Sequence, residues 1–212
     1  PGMTIFAPSS YRELGTMLHD ALELCTDGPA AIRWPKTMPP DDGAAAEADD
    51  VGCGLSARKV RSGRDICILA VGKMLGPARA AASMLADEGV DATVWDVRLV
   101  KPLDETMLVD AAGHPHVITV EDGYREGGAG AAIADRIATL TGAADAVPRV
   151  EPRADWAPRS GEGAGALRPR VTVLGVPVRF IPHGKPDAIL ASMGLDAEGI
   201  AATARGLLVD AS

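Results

Sequence analysis

Two basic residues follow a short apolar run near the start of the chain. Ala30 to Trp34 has the composition of a strand, with Arg33 near its end and Lys36 just beyond Pro35. In open parallel sheets, ligands collect beyond the carboxyl ends of the strands. Lys36 could therefore present a point charge to a phosphate group, with Arg33 as a second candidate. The alternative for both is a solvated or ion-paired role, which is the ordinary situation of a basic side chain.

An acidic and glycine-rich stretch lies in the second half of the chain. Glu121 and Asp122 end the β-branched run 117–120 and are followed by glycines and a helical pattern. The two carboxylates could act as a general acid and base, but acids between a strand end and a helix start commonly cap N–H groups. The glycines could cradle a phosphate or let helix and strand pack closely. Because Ile133 occupies the third position of a dinucleotide-binding fingerprint, we predict close packing and turn-stabilising acids.

The histidines and cysteines show no pattern of a metal site or a nucleophile. His114, His116 and His183 lack the i,i+4 spacing of a helical metal pair, so we expect solvated loop residues. No G-x-S-x-G motif supports a Ser-His-Asp triad. The three cysteines form neither a C-x-x-C pair nor an even disulfide set, which predicts reduced thiols in a cytoplasmic protein. Cys25 and Cys67 fall in apolar patterns and are expected to be buried.

Charge and hydropathy argue against two classes of partner. Lys plus Arg number 21 against 29 Asp plus Glu, and the net charge of −8 argues against nucleic acid. Charges or prolines interrupt every hydrophobic run, so no membrane span is expected. The chain begins with Pro1 and shows no signal sequence, so we expect it to be the interior of a longer polypeptide.

Alternating strand and helix patterns must position these residues. A strand, a helix with a capping box at Ser10 and Glu13, and a second strand occupy residues 1–38 and are too small to close a core alone. Residues 39–65 have the acidic, alanine- and proline-rich composition of a linker. Residues 66–212 predict an α/β domain with three layers and a mostly parallel sheet. Within it, residues 143–170 break the pattern and predict an inserted loop.

Several short motifs together resemble one family of enzymes. They are Ala7-Pro8-Ser9, Asp27-Gly28-Pro29, Ile32-Arg33-Trp34-Pro35-Lys36, Lys101-Pro102-Leu103-Asp104, Val120-Glu121-Asp122-Gly123, Gly127-Gly128-Ala129-Gly130, Phe180-Ile181-Pro182-His183-Gly184 and Gly194-Leu195-Asp196-Ala197-Glu198-Gly199-Ile200. The first 38 residues resemble the end of the pyrimidine-binding domain of 1-deoxy-D-xylulose-5-phosphate synthases. The later motifs resemble the transketolase-type C-terminal domain of the same family.

The resemblance implies part of a thiamine-diphosphate-dependent transferase. Members of this family condense pyruvate with glyceraldehyde 3-phosphate and release CO₂, using thiamine diphosphate and Mg²⁺. Their product feeds isoprenoid, thiamine and pyridoxal synthesis. The resemblance also implies a homodimer, N-terminal domains that carry the cofactor and the catalytic groups, and a fragment that is inactive alone.

One substrate residue of the family maps onto this chain. It is the basic residue at Lys36, which would hold the phosphate of the aldehyde. Many members carry arginine there and glycine at the position of Thr37, so this chain has a point charge where they have a planar, bidentate group.

Two other functions share some of these motifs. The β subunits of 2-oxo acid dehydrogenases, like transketolases, contain the acid-glycine and glycine-rich runs, and a dehydrogenase predicts a separate α chain and no phosphate preference. A non-catalytic dimerisation or interaction module would form dimers without a cofactor-binding partner chain.

Overall fold

The computed structural model describes residues 2–34, 51–142 and 169–209. Lys36, residues 39–50 of the expected linker and residues 143–168 of the expected insertion lie outside these ranges. Within the described ranges, no helix is both long and apolar enough to cross a membrane.

The first unit consists of β1 (Thr4–Phe6), α1 (Tyr11–Leu24) and β2 (Ala30–Ile32). The helix begins after Ser10, whose hydroxyl oxygen accepts a 3.1 Å hydrogen bond from the backbone N–H of Glu13. This is the N-cap contact that the sequence predicts. Because β1 and β2 run parallel, the helix between them serves as a crossover, as expected for a strand-helix-strand unit.

The rest of the described chain continues the alternation of strands and helices. Its elements are β3 (Arg58–Arg61), β4 (Ile66–Ala70), α2 (Leu75–Asp87), β5 (Ala92–Asp96), β6 (Leu99–Lys101), α3 (Glu105–Ala112), β7 (His116–Tyr124), α4 (Ala129–Leu140), β8 (Arg170–Val176), α5 (Pro186–Ser192) and α6 (Ala197–Val209). The predicted α/β class is confirmed.

The strands form two sheets that are joined through β6. The larger sheet has the order β3-β5-β4-β7-β8, in which β3 is antiparallel to β5 and the other neighbours are parallel. The smaller sheet has the order β2-β1-β6, with β6 antiparallel to β1. The first unit therefore shares a sheet with a strand of the second unit.

The linker expected at residues 39–65 is shorter than predicted. Arg58–Arg61 form β3, the edge strand that pairs with β5. Three of its four residues are Arg or Lys, so the apolar alternation that indicates a strand is missing from the sequence. Basic side chains on an edge strand discourage pairing with other chains. This effect explains why an edge strand such as β3 can be rich in Arg and Lys.

Helices cover both faces of the larger sheet and create three layers. On one face, α2 and α6 pack against alternate residues of β4, namely Ile66, Ile68 and Ala70. The intervening Cys67 and Leu69 face α3 and α4 on the other side. A strand buried on both faces is apolar throughout, because successive side chains point in opposite directions. The predicted three-layer, mostly parallel arrangement is confirmed.

The glycine turn between β7 and α4 brings the helix close to the sheet. A methyl group on Gly128 would lie within 2.7 Å of a carboxylate oxygen of Glu121. A methyl group on Gly130 would overlap the Thr119 hydroxyl and lie 2.8 Å from a methyl carbon of Val173. Close packing, the role predicted for these glycines, is confirmed.

Replacing Gly130 with alanine is expected to lower the free energy of unfolding by about 1–3 kcal/mol, because the added methyl group must displace packed neighbours. The matched control is Gly206→Ala in α6, where nothing lies within 4 Å of the added carbon. That variant should gain about 0.5–1 kcal/mol from helix propensity. Urea unfolding of both variants measures the difference, and a stability of Gly130→Ala equal to that of the parent chain would contradict the packing role.

Candidate functional site

Arg33 lies where β2 ends and faces the carboxyl end of β7. Its backbone N–H donates a 2.9 Å hydrogen bond to the carbonyl oxygen of Phe6. Its guanidinium Nη2 lies 2.6 Å from Oδ1 of Asp122, in an ion pair whose geometry is not that of an aligned hydrogen bond. Nearly half of the Arg33 side chain is exposed. Because a guanidinium has five N–H donors, most of them remain open to water or a ligand.

Lys36 lies outside the described residues, so the structure positions only one of the two candidate phosphate-binding residues. Trp34, the last described residue before it, is exposed beyond the end of β2. The phosphate-binding role of Lys36 stays a prediction.

Glu121 stabilises the glycine turn. Its two carboxylate oxygens accept hydrogen bonds from the N–H groups of Ala129 at 3.1 Å and Gly130 at 2.8 Å. Burial raises the pKa of Glu121; the two N–H donors and the nearby Arg33 act to lower it, and Asp122 acts to raise it. The turn-stabilising role predicted for the two acids is confirmed for Glu121 and is wrong for Asp122, which pairs with Arg33 instead. The hydrogen bonds of Glu121 occupy the N–H groups that could have cradled a phosphate at the start of α4.

Two of the three histidines expected in solvated loops are buried, so that prediction is wrong for them. The Nδ1 atom of His114 lies 2.9 Å from the carbonyl oxygen of Asp110, and its Nε2 lies 3.1 Å from the Thr93 hydroxyl. His116 is the first residue of β7 and is buried by the sheet. The physical reason is that both residues are covered by strands distant in sequence. His183 is exposed, as expected.

The cysteines follow the prediction in part. Cys67 is fully buried in β4, and burial raises the pKa of its thiol, so it packs as a small apolar residue. Cys25, the C-cap residue of α1, is only half-buried, at the edge of the apolar cluster of Phe6, Met17 and Leu99. Cys53 is exposed.

A buried arginine that no sequence motif marks joins the two units. Arg98 follows β5 and is fully buried. Its Nε donates to Oε2 of Glu13 in α1 at 3.0 Å. Its Nη1 donates to three carbonyl oxygens of the segment before β3, those of Cys53, Gly54 and Ser56. The guanidinium therefore connects α1, the corner between β5 and β6, and the approach to β3.

The backbone of Arg98 is also constrained. Its φ of 56° lies in the left-handed region, which a non-glycine residue adopts at a cost that its surroundings must offset. Its carbonyl oxygen accepts a 2.7 Å hydrogen bond from the N–H of Ala7. Gly52 packs so closely on the guanidinium that a side chain there would overlap it, and its N–H donates to Oε1 of Glu13 at 2.8 Å. The sequence feature that could have indicated this network is Arg98, a charged residue within the otherwise apolar run 97–100.

Asp96, at the carboxyl end of β5, is a further buried acidic residue at the junction. The Ser9 hydroxyl donates to its Oδ2 at 2.7 Å, and Nη2 of Arg58 lies 3.5 Å from the same oxygen. Burial raises the pKa of Asp96 to about 6; the Ser9 hydrogen bond and the charges of Arg58 and Arg98 act to lower it, and Glu13 acts to raise it. The surroundings of this carboxyl group therefore favour its protonated form over its ionised form at a higher pH than for a solvated aspartate.

Asp96 is expected to make the protein more stable as the pH falls from about 7 to about 5. Its folded-state pKa of about 6 lies above the roughly 3.9 of an aspartate in an unfolded chain. The folded state thus binds more protons in this interval, and acidification favours it by about 1.4 kcal/mol per pKa unit. Urea unfolding of the parent chain and of Asp96→Asn at three pH values measures this contribution. A stability difference between the two proteins that does not change with pH would contradict it.

Comparisons with known proteins extend over almost the whole chain. Relatives named 1-deoxy-D-xylulose-5-phosphate synthase include one from Magnetococcus marinus, 35% identical over 98% of this chain, and one from Anaeromyxobacter dehalogenans strain 2CP-1, 39% identical over 99%. The chain spans 29% and 30% of the length of these two relatives. The resemblance drawn from the motifs is confirmed.

Solved structures share the fold. A split-gene transketolase described as an inactive β4 tetramer is 26% identical, with a TM-score of 0.70 over 99% of this chain and 59% of that chain. A transketolase mutant from Pichia stipitis, 17% identical, shares the fold with a TM-score of 0.62 over 99% of this chain and 25% of that chain. The family model described as "Transketolase, C-terminal domain" matches residues 55–163, just over half of the chain. The chain therefore belongs to the transketolase C-terminal domain family, and it is similar to members named 1-deoxy-D-xylulose-5-phosphate synthase.

Proposed function

We propose that this chain is the C-terminal part of a thiamine-diphosphate-dependent synthase that condenses pyruvate with glyceraldehyde 3-phosphate. The products would be 1-deoxy-D-xylulose 5-phosphate and CO₂, at the entry to isoprenoid-precursor and thiamine synthesis. The observation that carries the proposal is the similarity to synthases of this name, 35% and 39% identical over 98% and 99% of the chain. Because the chain spans about 29% of such a relative, the reaction would belong to a longer protein.

The contacts of the described acids are consistent with a supporting role for this part of the protein. Within residues 2–34, 51–142 and 169–209, no three His, Cys, Asp or Glu side chains lie together as metal ligands would. The acids closest to Arg33 have internal partners, since Glu121 binds the glycine turn and Asp122 pairs with Arg33 itself. Thiamine diphosphate and Mg²⁺ would therefore be held by other parts of the longer protein, where the bond-making steps would also occur.

Recognition of the substrate phosphate is the role we propose for the end of β2. Arg33 lies at the carboxyl edge of this strand with its side chain partly open to solvent, and Lys36 follows closely in the sequence. A guanidinium and an ammonium group together can bind a phosphate monoester, one as a planar fork and one as a point charge. They would hold the phosphorylated aldehyde and leave pyruvate to other groups.

The longer protein is expected to act as a homodimer in the cytoplasm. Val178 and Phe180, beyond the end of β8, are 67% and 93% exposed and would suit contacts with the remaining domains or with a second copy. The oligomeric state and the location stay predictions.

In the full-length protein, Lys36→Ala is expected to raise the KM for glyceraldehyde 3-phosphate by about tenfold or more, the equivalent of losing one charge-assisted hydrogen bond. The KM for pyruvate should change little. Lys185→Ala, which removes an exposed lysine before α5, is the matched control. Steady-state kinetics with each substrate varied in turn measures the effect, and an equal rise in both KM values would remove Lys36 from phosphate binding.

The 212-residue chain alone is expected to show no turnover of pyruvate and glyceraldehyde 3-phosphate, even with thiamine diphosphate and Mg²⁺ added, because we place the groups that bind them in other parts of the longer protein. Release of CO₂ measures the reaction, and the full-length protein under the same conditions is the positive control. Cofactor-dependent turnover by the isolated chain would contradict the proposed division of labour.

A further inference from the structure

The acid that faces Arg33 belongs to the other sheet. Asp122 lies near the carboxyl end of β7, where the pairing with β8 is irregular between Val120 and Tyr124. Its side chain is only 16% exposed, against 46% for Arg33, and the two charged groups approach to 2.6 Å. An ion pair shielded on one side is screened less by water and salt than a fully exposed pair. The contact therefore links the end of β2 to the carboxyl end of β7.

The Arg33 guanidinium lies close to two neighbouring carboxylates. A methyl group placed on Gly123 would be 2.8 Å from Oε2 of Glu121 and 3.9 Å from Nη2 of Arg33. The positive charge of Arg33 acts to lower the pKa of Glu121, whereas the negative charge of Asp122 acts to raise it. Arg33 thus offsets the repulsion between the two acids, one of which is bonded to the start of α4.

Arg33 is consequently fixed at both ends. Its backbone N–H is bound to Phe6 in β1, and its guanidinium is bound to Asp122 in β7. A guanidinium paired at one nitrogen with a carboxylate is restricted in where it can lie, so its remaining donors can meet a phosphate with less loss of side-chain freedom. Removing the carboxylate would let the side chain rotate and would lose that preorganisation.

We propose that Asp122 is a positioning residue for recognition of the aldehyde phosphate, acting through Arg33. It orients the remaining donors of the guanidinium toward the phosphate. A residue of the transketolase-type domain would thus contribute to a phosphate site at the end of β2. This inference rests on the proposed function, because it needs a phosphorylated substrate at the end of that strand.

The test uses the full-length protein and the variant Asp122→Asn. The KM for glyceraldehyde 3-phosphate should rise roughly tenfold, as expected when a binding group is misplaced, while kcat and the KM for pyruvate change little. The preference for glyceraldehyde 3-phosphate over unphosphorylated glyceraldehyde, measured as a ratio of kcat/KM values, should fall by the same factor. Asp122→Glu keeps the carboxylate and should restore most of the preference.

The matched control is Glu126→Gln, which removes a carboxylate from the exposed pair with Arg125 at 2.8 Å. This variant should leave all kinetic constants unchanged. A parallel fall in kcat and rise in both KM values for Asp122→Asn would indicate a merely structural role and overturn the inference. Where Asp122→Asn does not fold, Arg33→Lys is measured in its place, because it keeps a charge near Asp122 and loses the planar fork. An unchanged preference for glyceraldehyde 3-phosphate over glyceraldehyde in that variant would also overturn the inference.

A double variant separates action through Arg33 from independent action. Arg33→Gln with Asp122→Asn should raise the KM for the aldehyde no further than Arg33→Gln alone, and additive effects would contradict the proposed link. Failure of the proposed function has a different signature. A full-length protein with no turnover of pyruvate and glyceraldehyde 3-phosphate would remove both proposals, whereas normal activity with an unchanged phosphate preference in Asp122→Asn would remove this one only.

Discussion

The ion pair between Arg98 and Glu13 is the contact on which the arrangement of the two units depends. Neither side chain is more than 2% exposed. Taking a guanidinium and a carboxylate out of water costs several kcal/mol for each ion, so such a pair is stable only when further polar partners surround it. Three carbonyl oxygens of residues 53–56 and the N–H of Gly52 supply these partners. Loss of Arg98 would leave the buried Glu13 carboxylate without its cation, whereas loss of Glu13 would leave the guanidinium with the more distant carboxylate of Asp20, 3.9 Å from its Nη2.

The position of this pair determines where the candidate site can form. β6 begins at Leu99, directly after Arg98, and completes the sheet of the first unit beside β1. The carboxyl ends of strands from both sheets consequently meet, and Arg33 of β2 reaches Asp122 of β7. This second ion pair is partly exposed and adds less stability than the buried one, but it lies where a ligand can approach. The Arg33–Asp122 pair of the candidate site therefore takes one residue from each unit.

The features predicted from sequence are those that depend on local patterns. The wholly apolar β4 and the glycine turn before α4 follow from residue types within a few positions, and both were predictable in place and role. Glu13 was predicted to complete a capping box, yet its carboxylate binds Arg98 instead, because a buried guanidinium is a stronger partner than an N–H at a helix end. The edge strand β3 and the burial of His116 depend on pairing with distant strands, which no local period reveals.

The Arg98–Glu13 pair holds the two units together and so forms the boundary at which the candidate site lies. The apolar cluster at the same junction has three fully buried members, Phe6, Met17 and Leu99, and they would hold the units less firmly alone. A double-mutant cycle of Glu13→Gln and Arg98→Met, followed by urea unfolding, measures the energy of this pair. We expect a coupling energy of about 2 kcal/mol or more, because either single change already breaks the pair. Effects that add to within about 0.5 kcal/mol would contradict it.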